Sequence, residues 1–447
     1  MYTKISLIKQ LRSLTLPIFI ETLLIMLLGF MDILMLSKVS DNAVAAVGLA
    51  NQILLLVNMV FMLGVLGATV VCSQYIGAKN EYAFVQTTGV ALTYNFIVGI
   101  SFGIFFIFYT PFLLDLLNVK IELVPNASIY FKIVGGLSVL MCLNLTLSAI
   151  LRSCNLANYP MYVSVVVNIT NIIGNYALIF GKFGLPELGV QGAAISTVCS
   201  RCIACALLFY ALKKQKIKTS IWKSLFPFPF DKLQQIFKIG MPAAGEMVSY
   251  SLSQTLIVYF VNKLGNDVLA ARTYLVNIIM FIFLFALALG QGSAILVGQL
   301  IGREKRDTAL KLGRLSLKVA ISVSFTLSLF LALVAPWIMP LMTKNQDIIS
   351  LCLTIFWVDI LLEIGRAVNI LGGRMLGAAG NPEFPFVVGV IFMWGVATLG
   401  SYILGIWFGY GLVGMWICFL LDECIRGVFI WKHWESGKWA NRRLITN

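Results

Sequence analysis

The sequence has few of the residues on which soluble enzymes rely. Only 12% of its 447 residues are charged, and it holds a single histidine, His433. A soluble domain is about 45–50% apolar and about 25% charged, whereas this chain is 60% hydrophobic with a mean hydropathy of +0.92. One histidine and no HExxH motif argue against a membrane-embedded enzyme, and no metal site is predicted. The composition indicates a membrane protein.

The remaining unusual counts have simple interpretations. Cys199, Cys202 and Cys205 share a helical face, but without a nearby histidine they are interpreted as small packing residues. The formal net charge of +14 is attributed to cytoplasmic loops rather than to nucleic-acid binding. The first apolar run is too long for a signal peptide and lacks a cleavage site, so it is predicted to be a retained span.

The two halves of the chain are diverged copies of each other. A shift of 225 positions (242 − 17) superimposes the pairs Pro17/Pro242, Glu21/Glu246, Gly67/Gly292 and Gln74/Gln299. A shift of 222 positions (374 − 152) superimposes Arg152/Arg374 and Pro160/Pro382. Repeats of this length in so apolar a chain are typical of transporters built from two homologous bundles.

Apolar runs long enough to cross a bilayer, about 20 residues each, occur six times in each half. They fall at about 14–37, 44–72, 87–113, 127–151, 160–182, 190–212, 237–261, 270–299, 315–341, 348–372, 384–408 and 411–432. The sequence therefore predicts an N-lobe at 1–212, a cytoplasmic linker at 213–236, a C-lobe at 237–434 and a cytoplasmic tail at 435–447.

Lysines and arginines fix the predicted orientation. If the N-terminus is inside, most of them fall in cytoplasmic segments, which is the usual bias, so both termini are predicted to be cytoplasmic. The amphipathic stretch DKLQQIFKIG at the end of the linker either lies on the lipid surface or is a plain solvated connection.

Charged residues inside the predicted spans each need an explanation, because burying one costs about 2.5–3.5 kcal/mol at the centre of a bilayer. The acids are Glu21, Asp32, Glu246, Asp359, Glu363, Asp422 and Glu423, and the bases are Arg201, Lys318, Arg366 and Arg426. Asp422 and Arg426 have the i,i+4 spacing of a structural ion pair. Glu363 and Arg366, at i,i+3, are either a fold-stabilising pair or part of a transport site.

Asp32 has no basic residue within one helical turn on its own helix. Unless another helix satisfies it by a hydrogen bond, it is protonated or holds a cation, as coupling to an ion gradient requires. In the fifth span, Asn168, Asn171 and Asn175 are spaced to share a helical face. They are interpreted either as ligands that complete a cation site with Asp32 or as polar contacts between helices.

Glu21 and Glu246 stand in repeat-related places, each one turn after a proline. They are either symmetric structural residues that meet arginines of neighbouring helices or cavity carboxylates that attract a cationic substrate. The functional interpretation is favoured for Glu246.

Several segments together resemble the multidrug and toxic compound extrusion (MATE) transporters over nearly the whole chain. They are GFMDILMLS in the first span, QYIGAKN and QLIGREK after the second and eighth, LRSCNLANYP and RMLGAAGNP after the fourth and tenth, and NIIGNYALIFGKFGLPELGVQGAA across the fifth and sixth. The resemblance implies an all-α polytopic membrane protein with about 12 transmembrane helices, in two homologous six-helix lobes around a central cleft that opens alternately to each side.

Family members typically expel organic cations in exchange for Na⁺ or H⁺. By position, Asp32 is similar to the family's first-span coupling aspartate and Asn171 to its fifth-span asparagine. Asn175 stands where some members have a second aspartate. Glu363 falls on the tenth-span acidic position, whereas the seventh-span glutamate of some members falls at Tyr250, one turn after Glu246.

The sequence thus predicts a non-enzymatic, multi-pass exporter of the bacterial inner membrane. It is predicted to act as a monomer that exchanges lipophilic cations for Na⁺ or H⁺, with no cofactor besides the coupling ion. The predicted ion-coupling residues are Asp32, Asn171, Asn175, Glu246 and Glu363, and the predicted cleft residues are Tyr250, Asn168, Tyr274 and Phe281. The alternative function is a flippase for a lipid-linked oligosaccharide or another amphipathic lipid. Because intramembrane acids outnumber bases, the exporter is favoured over a protein that binds a pyrophosphate.

Overall fold

The computed structural model describes residues 4–214 and 223–441, which are built from thirteen α-helices. Those of the first half are α1 (Lys4–Leu36), α2 (Asp41–Ala78), α3 (Glu81–Leu116), α4 (Val124–Tyr130), α5 (Ser138–Ser153), α6 (Asn158–Ile179) and α7 (Gly189–Lys213). Those of the second half are α8 (Phe230–Lys263), α9 (Asn266–Gly302), α10 (Arg306–Met342), α11 (Gln346–Ala378), α12 (Glu383–Phe392) and α13 (Gly411–Glu435).

Every predicted span coincides with helix, so the predicted all-α class is confirmed. The fourth and eleventh spans are not uniform α-helices. In the fourth, a π-helical turn at Phe131–Gly135 links α4 to α5, and the two halves of the span are bent by 46°. In the eleventh, α12 continues into π-helical turns at Met393–Thr398 and Ser401–Trp407.

Nine helices of the described residues are long and apolar enough to cross a membrane, or ten if the bent pair in the fourth span counts as one. The two further predicted spans lie in α8 and α13, which contain more polar residues. Two intramembrane acids and an arginine, Asp422, Glu423 and Arg426, lie within α13. Polar side chains cap the starts of several helices. For example, Ser40 precedes α2, and its hydroxyl accepts a hydrogen bond from the backbone N–H of Ala43 at 3.0 Å.

The chain divides into two compact units. The N-unit is Leu16–Gly240, and the C-unit combines Met1–Thr15 with Met241–Asn447. Both boundaries precede a repeat-related proline, Pro17 inside α1 and Pro242 inside α8. The first helix of each repeat therefore begins in one unit and continues into the other.

Each unit has its own apolar core. In the N-unit, the buried rings of Phe61, Phe106 and Phe131 join α2, α3 and the π-helical turn of the fourth span. In the C-unit, Ile355 and Phe356 of α11 pack with α9 and with Met415 of α13. Many large apolar side chains remain on the outside of the helices, as expected for surfaces that face lipid.

The start of α8 packs tightly on α2 within the N-unit. A Cβ atom on Gly67 of α2 would lie 2.1 Å from the carbonyl oxygen of Ile236, and one on Gly240 would lie 2.1 Å from that of Leu63. Two glycines at the crossing therefore let the two backbones approach each other closely.

The segment from Phe230 to Gly240 includes the whole predicted amphipathic stretch, and its apolar side packs against protein. Ile236 is completely buried against Ala68 of α2 and Val90 of α3. The Lys232 ammonium donates to the Tyr75 hydroxyl at 2.9 Å. The apolar residues of this stretch therefore complete a small core, whereas the cytoplasmic position of the linker stays a prediction. Residues 215–222 of the predicted linker lie outside the described residues.

Candidate functional site

A chain of hydrogen bonds in the N-unit joins three of the predicted coupling residues. The Asn175 side-chain amide of α6 donates to the Asp32 carboxylate of α1 at 2.6 Å. It also donates to the Asn171 side-chain oxygen, one turn earlier on α6, at 3.0 Å. Asn171 and Asn175 are fully buried, whereas Asp32 is half-buried. The structure therefore brings Asp32 together with both asparagines. The hydrogen bond from Asn175 is the contact with another helix that the structural interpretation of Asp32 expects, and its donor is a neutral amide rather than a base.

Residues of α7 contact Asn171 from the other side. The Asn171 amide donates to the Thr197 hydroxyl at 3.5 Å, and the Ser196 hydroxyl donates to the Asn171 backbone carbonyl at 3.0 Å. Arg201 follows Thr197 by one turn on the same face of α7. Its guanidinium interacts electrostatically with the Tyr130 hydroxyl of α4 and with Asp32.

We call Asp32, Tyr130, Asn171, Asn175, Thr197 and Arg201 the N-unit polar cluster. Two of its buried polar atoms have no hydrogen-bond partner within the described part of the chain: the Asn175 side-chain oxygen and Nη1 of Arg201. Because buried polar groups are nearly always satisfied in native proteins, these two atoms are unusual features of the cluster.

An apolar pocket of about 400 Å³ is lined by residues of α1 and α6 and of the connections that follow them, none of which belongs to the N-unit polar cluster. Its lining residues include Met31, Met35, Lys38, Ile172, Tyr176 and Phe180. Met31, Ile172 and Tyr176 are sequence neighbours of Asp32, Asn171 and Asn175. A volume in this range suits a drug-sized molecule.

A larger charged network occupies the C-unit. Glu363 of α11 pairs with Arg366 one turn later, and Nε of Arg366 lies 3.8 Å from Oε1 of Glu423 on α13. Nη2 of Arg426 lies 3.1 Å from Oε1 of Glu423 and 2.7 Å from Oδ2 of Asp422. The predicted ion pair on α13 is therefore present, and it is joined to Glu363 through Glu423.

Neutral donors complete this network. The Asn369 amide donates to Oε2 of Glu423 at 2.6 Å, and the Trp416 indole donates to Oδ1 of Asp359 at 3.0 Å. Guanidinium groups contact Glu363, Asp422 and Glu423, whereas the hydrogen-bond donor to Asp32 is a neutral amide. Oε2 of Glu363, however, is buried without a hydrogen-bond partner among the described residues.

Glu21 and Glu246 occupy equivalent surroundings in the two units. In the N-unit, Nη2 of Arg152 lies 3.7 Å from Oε1 of the buried Glu21. In the C-unit, Glu246 interacts electrostatically with Arg426 and with Arg374, the repeat equivalent of Arg152. The structural interpretation of Glu21 and Glu246 expects each of them to lie near an arginine, as both do. Glu246 also approaches the C-unit network through Arg426, so its predicted role in ion coupling stays a prediction.

The predicted cleft residues are distributed over both units. Asn168 of α6 is satisfied within its own helix, where it donates to the Ser164 carbonyl at 2.8 Å. Tyr250 of α8 interacts electrostatically with Arg366 and Glu423 of the C-unit network. On α9, Tyr274 packs against the C-unit core and Phe281 is exposed. Their contact with substrate stays a prediction.

The sequence alone gave no reason to single out several of these residues. Tyr130 and Thr197 are unremarkable in the sequence, and Arg201 stands out only as a base inside a predicted span. In the C-unit, Asp359, Glu363 and Arg366 recur at i, i+4 and i+7 along α11, which is the one visible sign of a charged face. Its continuation onto α13 depends on how the two helices pack.

The described residues contain no group of three or more histidine, cysteine or acidic side chains placed to hold a metal ion. The carboxylate and amide oxygens of the N-unit polar cluster are ligand types suited to hard cations.

Comparisons with known proteins agree with this architecture. The MatE family model matches residues 17–177 and 242–403, so its two matches begin at the repeat-related Pro17 and Pro242 and confirm the internal repeat. The chain is 38% identical to the uncharacterized transporter YisQ of Bacillus subtilis over 433 residues, 97% of this chain and 95% of the relative. It is 28% identical to the probable multidrug resistance protein NorM of Thermotoga maritima over 444 residues, 98% and 94% of the two chains.

Solved structures share the whole fold. The Vibrio cholerae MATE transporter VcmN, solved as a variant, matches with a TM-score of 0.89 at 18% identity, over 97% of each chain. A MOP superfamily transporter from Pyrococcus furiosus matches with a TM-score of 0.87 at 19% identity, over 96% of this chain and 95% of the other. From the family model and these relatives, the chain belongs to the MatE family of multi-pass membrane transporters.

Proposed function

We propose that this protein is a secondary active exporter that exchanges amphipathic organic cations for Na⁺ or H⁺ across the bacterial inner membrane. The observation that carries the proposal is the environment of Asp32. This carboxylate lies inside a predicted span and is held at 2.6 Å by the neutral Asn175 amide. A carboxylate held in this way can take up a proton or a metal cation, and it can release either one when a cationic substrate arrives.

The coupling ion is expected to act by competition. An ion on Asp32 and the cationic group of a substrate require the same carboxylate, so each lowers the affinity of the protein for the other. Such competition drives transport only if the ion binds the inward-open and outward-open states with different affinity. A higher affinity for the ion in the outward-open state would release the substrate outside.

The C-unit network is the less favoured place for coupling. Arg366 and Arg426 already provide positive charge for Glu363, Asp422 and Glu423. A Na⁺ ion there would have to displace a guanidinium, which is costly in a buried ion pair. The C-unit acids are therefore assigned a mainly structural role in this proposal.

The proposal is tested by ethidium efflux from everted membrane vesicles, driven separately by a Na⁺ gradient and by a pH gradient. The variants are Asp32→Asn and Glu363→Gln. Wild-type efflux under one gradient that is lost in Asp32→Asn would support coupling in the N-unit. Loss in Glu363→Gln with an active Asp32→Asn would transfer coupling to the C-unit. No efflux under either gradient would contradict the exporter and favour the lipid flippase.

A further inference from the structure

The pocket of about 400 Å³ lined by α1 and α6, called the α1–α6 pocket below, combines an apolar lining with one charged residue. That residue is Lys38, and all the others are methionine, isoleucine, tyrosine or phenylalanine. The Tyr176 ring lies 6.0 Å from the ring of Phe180 and 6.0 Å from the ring of Phe183, measured between centroids. Ile173, Tyr176 and Phe183 are exposed. The pocket is therefore open on one side and has an aromatic wall.

The pocket extends from one edge of the membrane towards its centre. Lys38 directly follows the first predicted span, and Phe183 directly follows the fifth, both on the predicted outer side. Met31, another lining residue, precedes Lys38 by about two helical turns, which corresponds to a depth of roughly 10 Å. The charge is therefore at the level of the lipid headgroups, and the apolar lining is at the level of the acyl chains.

The charge of Lys38 is not compensated within the protein. None of the ion pairs in the described part of the chain includes Lys38. Basic residues normally concentrate on the cytoplasmic side, so a lysine at the predicted outer edge is not explained by topology. Its ammonium repels a cationic drug and attracts an anionic group. The charge of the pocket therefore favours an anionic amphiphile.

The internal repeat provides a comparison for this pocket. In the C-unit, Phe260 stands in the place of Met35 (35 + 225), another lining residue of the pocket. Tyr402 stands in the place of Phe180 (180 + 222). The rings of Phe260 and Tyr402 are in contact, with centroids 5.5 Å apart. A ring contact thus joins the two spans of the C-unit at the place where the N-unit has a pocket.

We propose that the α1–α6 pocket binds an anionic phospholipid of the surrounding bilayer. The Lys38 ammonium pairs with the phosphate, as lysine commonly does. One acyl chain lies along Met31, Met35 and the aromatic wall, where it covers apolar side chains that are otherwise exposed. The lipid is a bound component of the protein rather than a transported substrate, so this inference goes beyond the proposed function.

The test uses a phosphatidylglycerol with a photoreactive diazirine on one acyl chain. The purified protein is reconstituted into phosphatidylcholine vesicles that contain a small fraction of this probe, and the cross-linked peptides are identified by mass spectrometry. Cross-links are expected on α1 and α6 peptides that line the pocket, and unlabelled phosphatidylglycerol is expected to compete better than added phosphatidylcholine. Because the ammonium–phosphate contact is lost, Lys38→Gln is expected to reduce this labelling by about three- to tenfold.

Lys263→Gln is the matched control, because Lys263 is the repeat equivalent of Lys38 (38 + 225) and is also exposed. It lies 4.8 Å from the centroid of the Tyr259 ring on its own helix, and its substitution is expected to leave the labelling of α1 and α6 unchanged. A second variant, Met35→Phe with Phe180→Tyr, copies the ring pair of the C-unit and is expected to reduce the labelling by narrowing the pocket. Thermal unfolding checks that each variant is folded.

Four results would overturn the inference. The first is equal labelling of α1 and α6 in the wild type and Lys38→Gln, and the second is equal competition by the two phospholipids. The third is full competition by glycerol phosphate, which would show a phosphate site that needs no acyl chain. The fourth is full competition by ethidium, which would assign the pocket to a cationic substrate.

Discussion

The Asn175 side-chain amide lies 2.6 Å from the Asp32 carboxylate, and this hydrogen bond joins α6 to α1 inside the N-unit. Among the residues predicted to form the site, it is the contact that ties the candidate coupling acid to a second helix. The same amide also reaches Asn171. The geometry of Asp32 therefore depends on Asn175 more than on any other predicted site residue.

Replacing Asn175 by alanine is expected to reduce gradient-driven efflux by about tenfold or more, because a hydrogen bond to a charged group contributes about 1.5–3 kcal/mol. The measurement is the initial rate of ethidium efflux from everted vesicles at matched protein levels. Thr170→Val is the matched control on the same helix, since its hydroxyl bonds only to carbonyls of α6 at 2.8 and 3.1 Å. Equal rates in Asn175→Ala and Thr170→Val would contradict a role for this contact.

Breaking the C-unit network is expected to destabilise the protein strongly. Arg426→Gln leaves Asp422 and Glu423 without their shared guanidinium, and removing one partner of a buried pair costs about 3–5 kcal/mol. The double variant Arg426→Gln with Asp422→Asn is expected to recover part of this loss, because it also removes one unpaired charge. Thermal unfolding in detergent measures both effects.

Arg314→Gln is the control for the network variants. It breaks a 2.6 Å ion pair with Glu435, but the Arg314 side chain is 61% exposed, and exposed ion pairs contribute little to stability. A similar drop in melting temperature for Arg426→Gln and Arg314→Gln would show that the network adds little to stability and would reopen a transport role for its acids.

The sequence predicted the helices well and the sites only in part. Twelve apolar runs and the 225-residue shift determine the spans, because span length and repeat register are visible along one chain. Asp32 and the asparagines could be grouped because their positions resemble a family motif. By contrast, the network between α11 and α13 depends on packing, which brings Glu423 to Arg366 at 3.8 Å. Each helix alone shows only a local ion pair.

Arg201 could not be grouped with Asp32 from the sequence for a related reason. A single arginine in a span looks like any other buried base until its neighbours are known. Its relation to Asp32 requires four helices, α1, α4, α6 and α7, to converge. Likewise, the amphipathic start of α8 could not be told from a lipid-facing segment, since its apolar residues are equally suited to a protein core.

The crossing of α2 and α8 is expected to tolerate no side chain at Gly67. A Cβ atom there would lie 2.1 Å from the Ile236 carbonyl oxygen, so Gly67→Ala must push the start of α8 away. The expected cost is about 1–3 kcal/mol in the free energy of unfolding. Gly48→Ala is the control on the same helix, because a Cβ at Gly48 meets nothing within 4 Å, and it is expected to be neutral or slightly stabilising. Equal melting temperatures for the two variants would contradict the close crossing.

The predicted orientation, with both termini inside, can be tested with cysteines at two exposed lysines. Lys79 ends α2 and Lys120 follows α3, so they lie at successive connections and on opposite sides of the membrane. Because positive residues concentrate on the cytoplasmic side, Lys79→Cys is expected to react with a membrane-impermeant maleimide only after cells are permeabilised. Lys120→Cys is expected to react in intact cells. The unsubstituted protein provides the background, since Cys199 and Cys202 are also exposed. The reverse labelling pattern would place the termini outside and would contradict the predicted orientation.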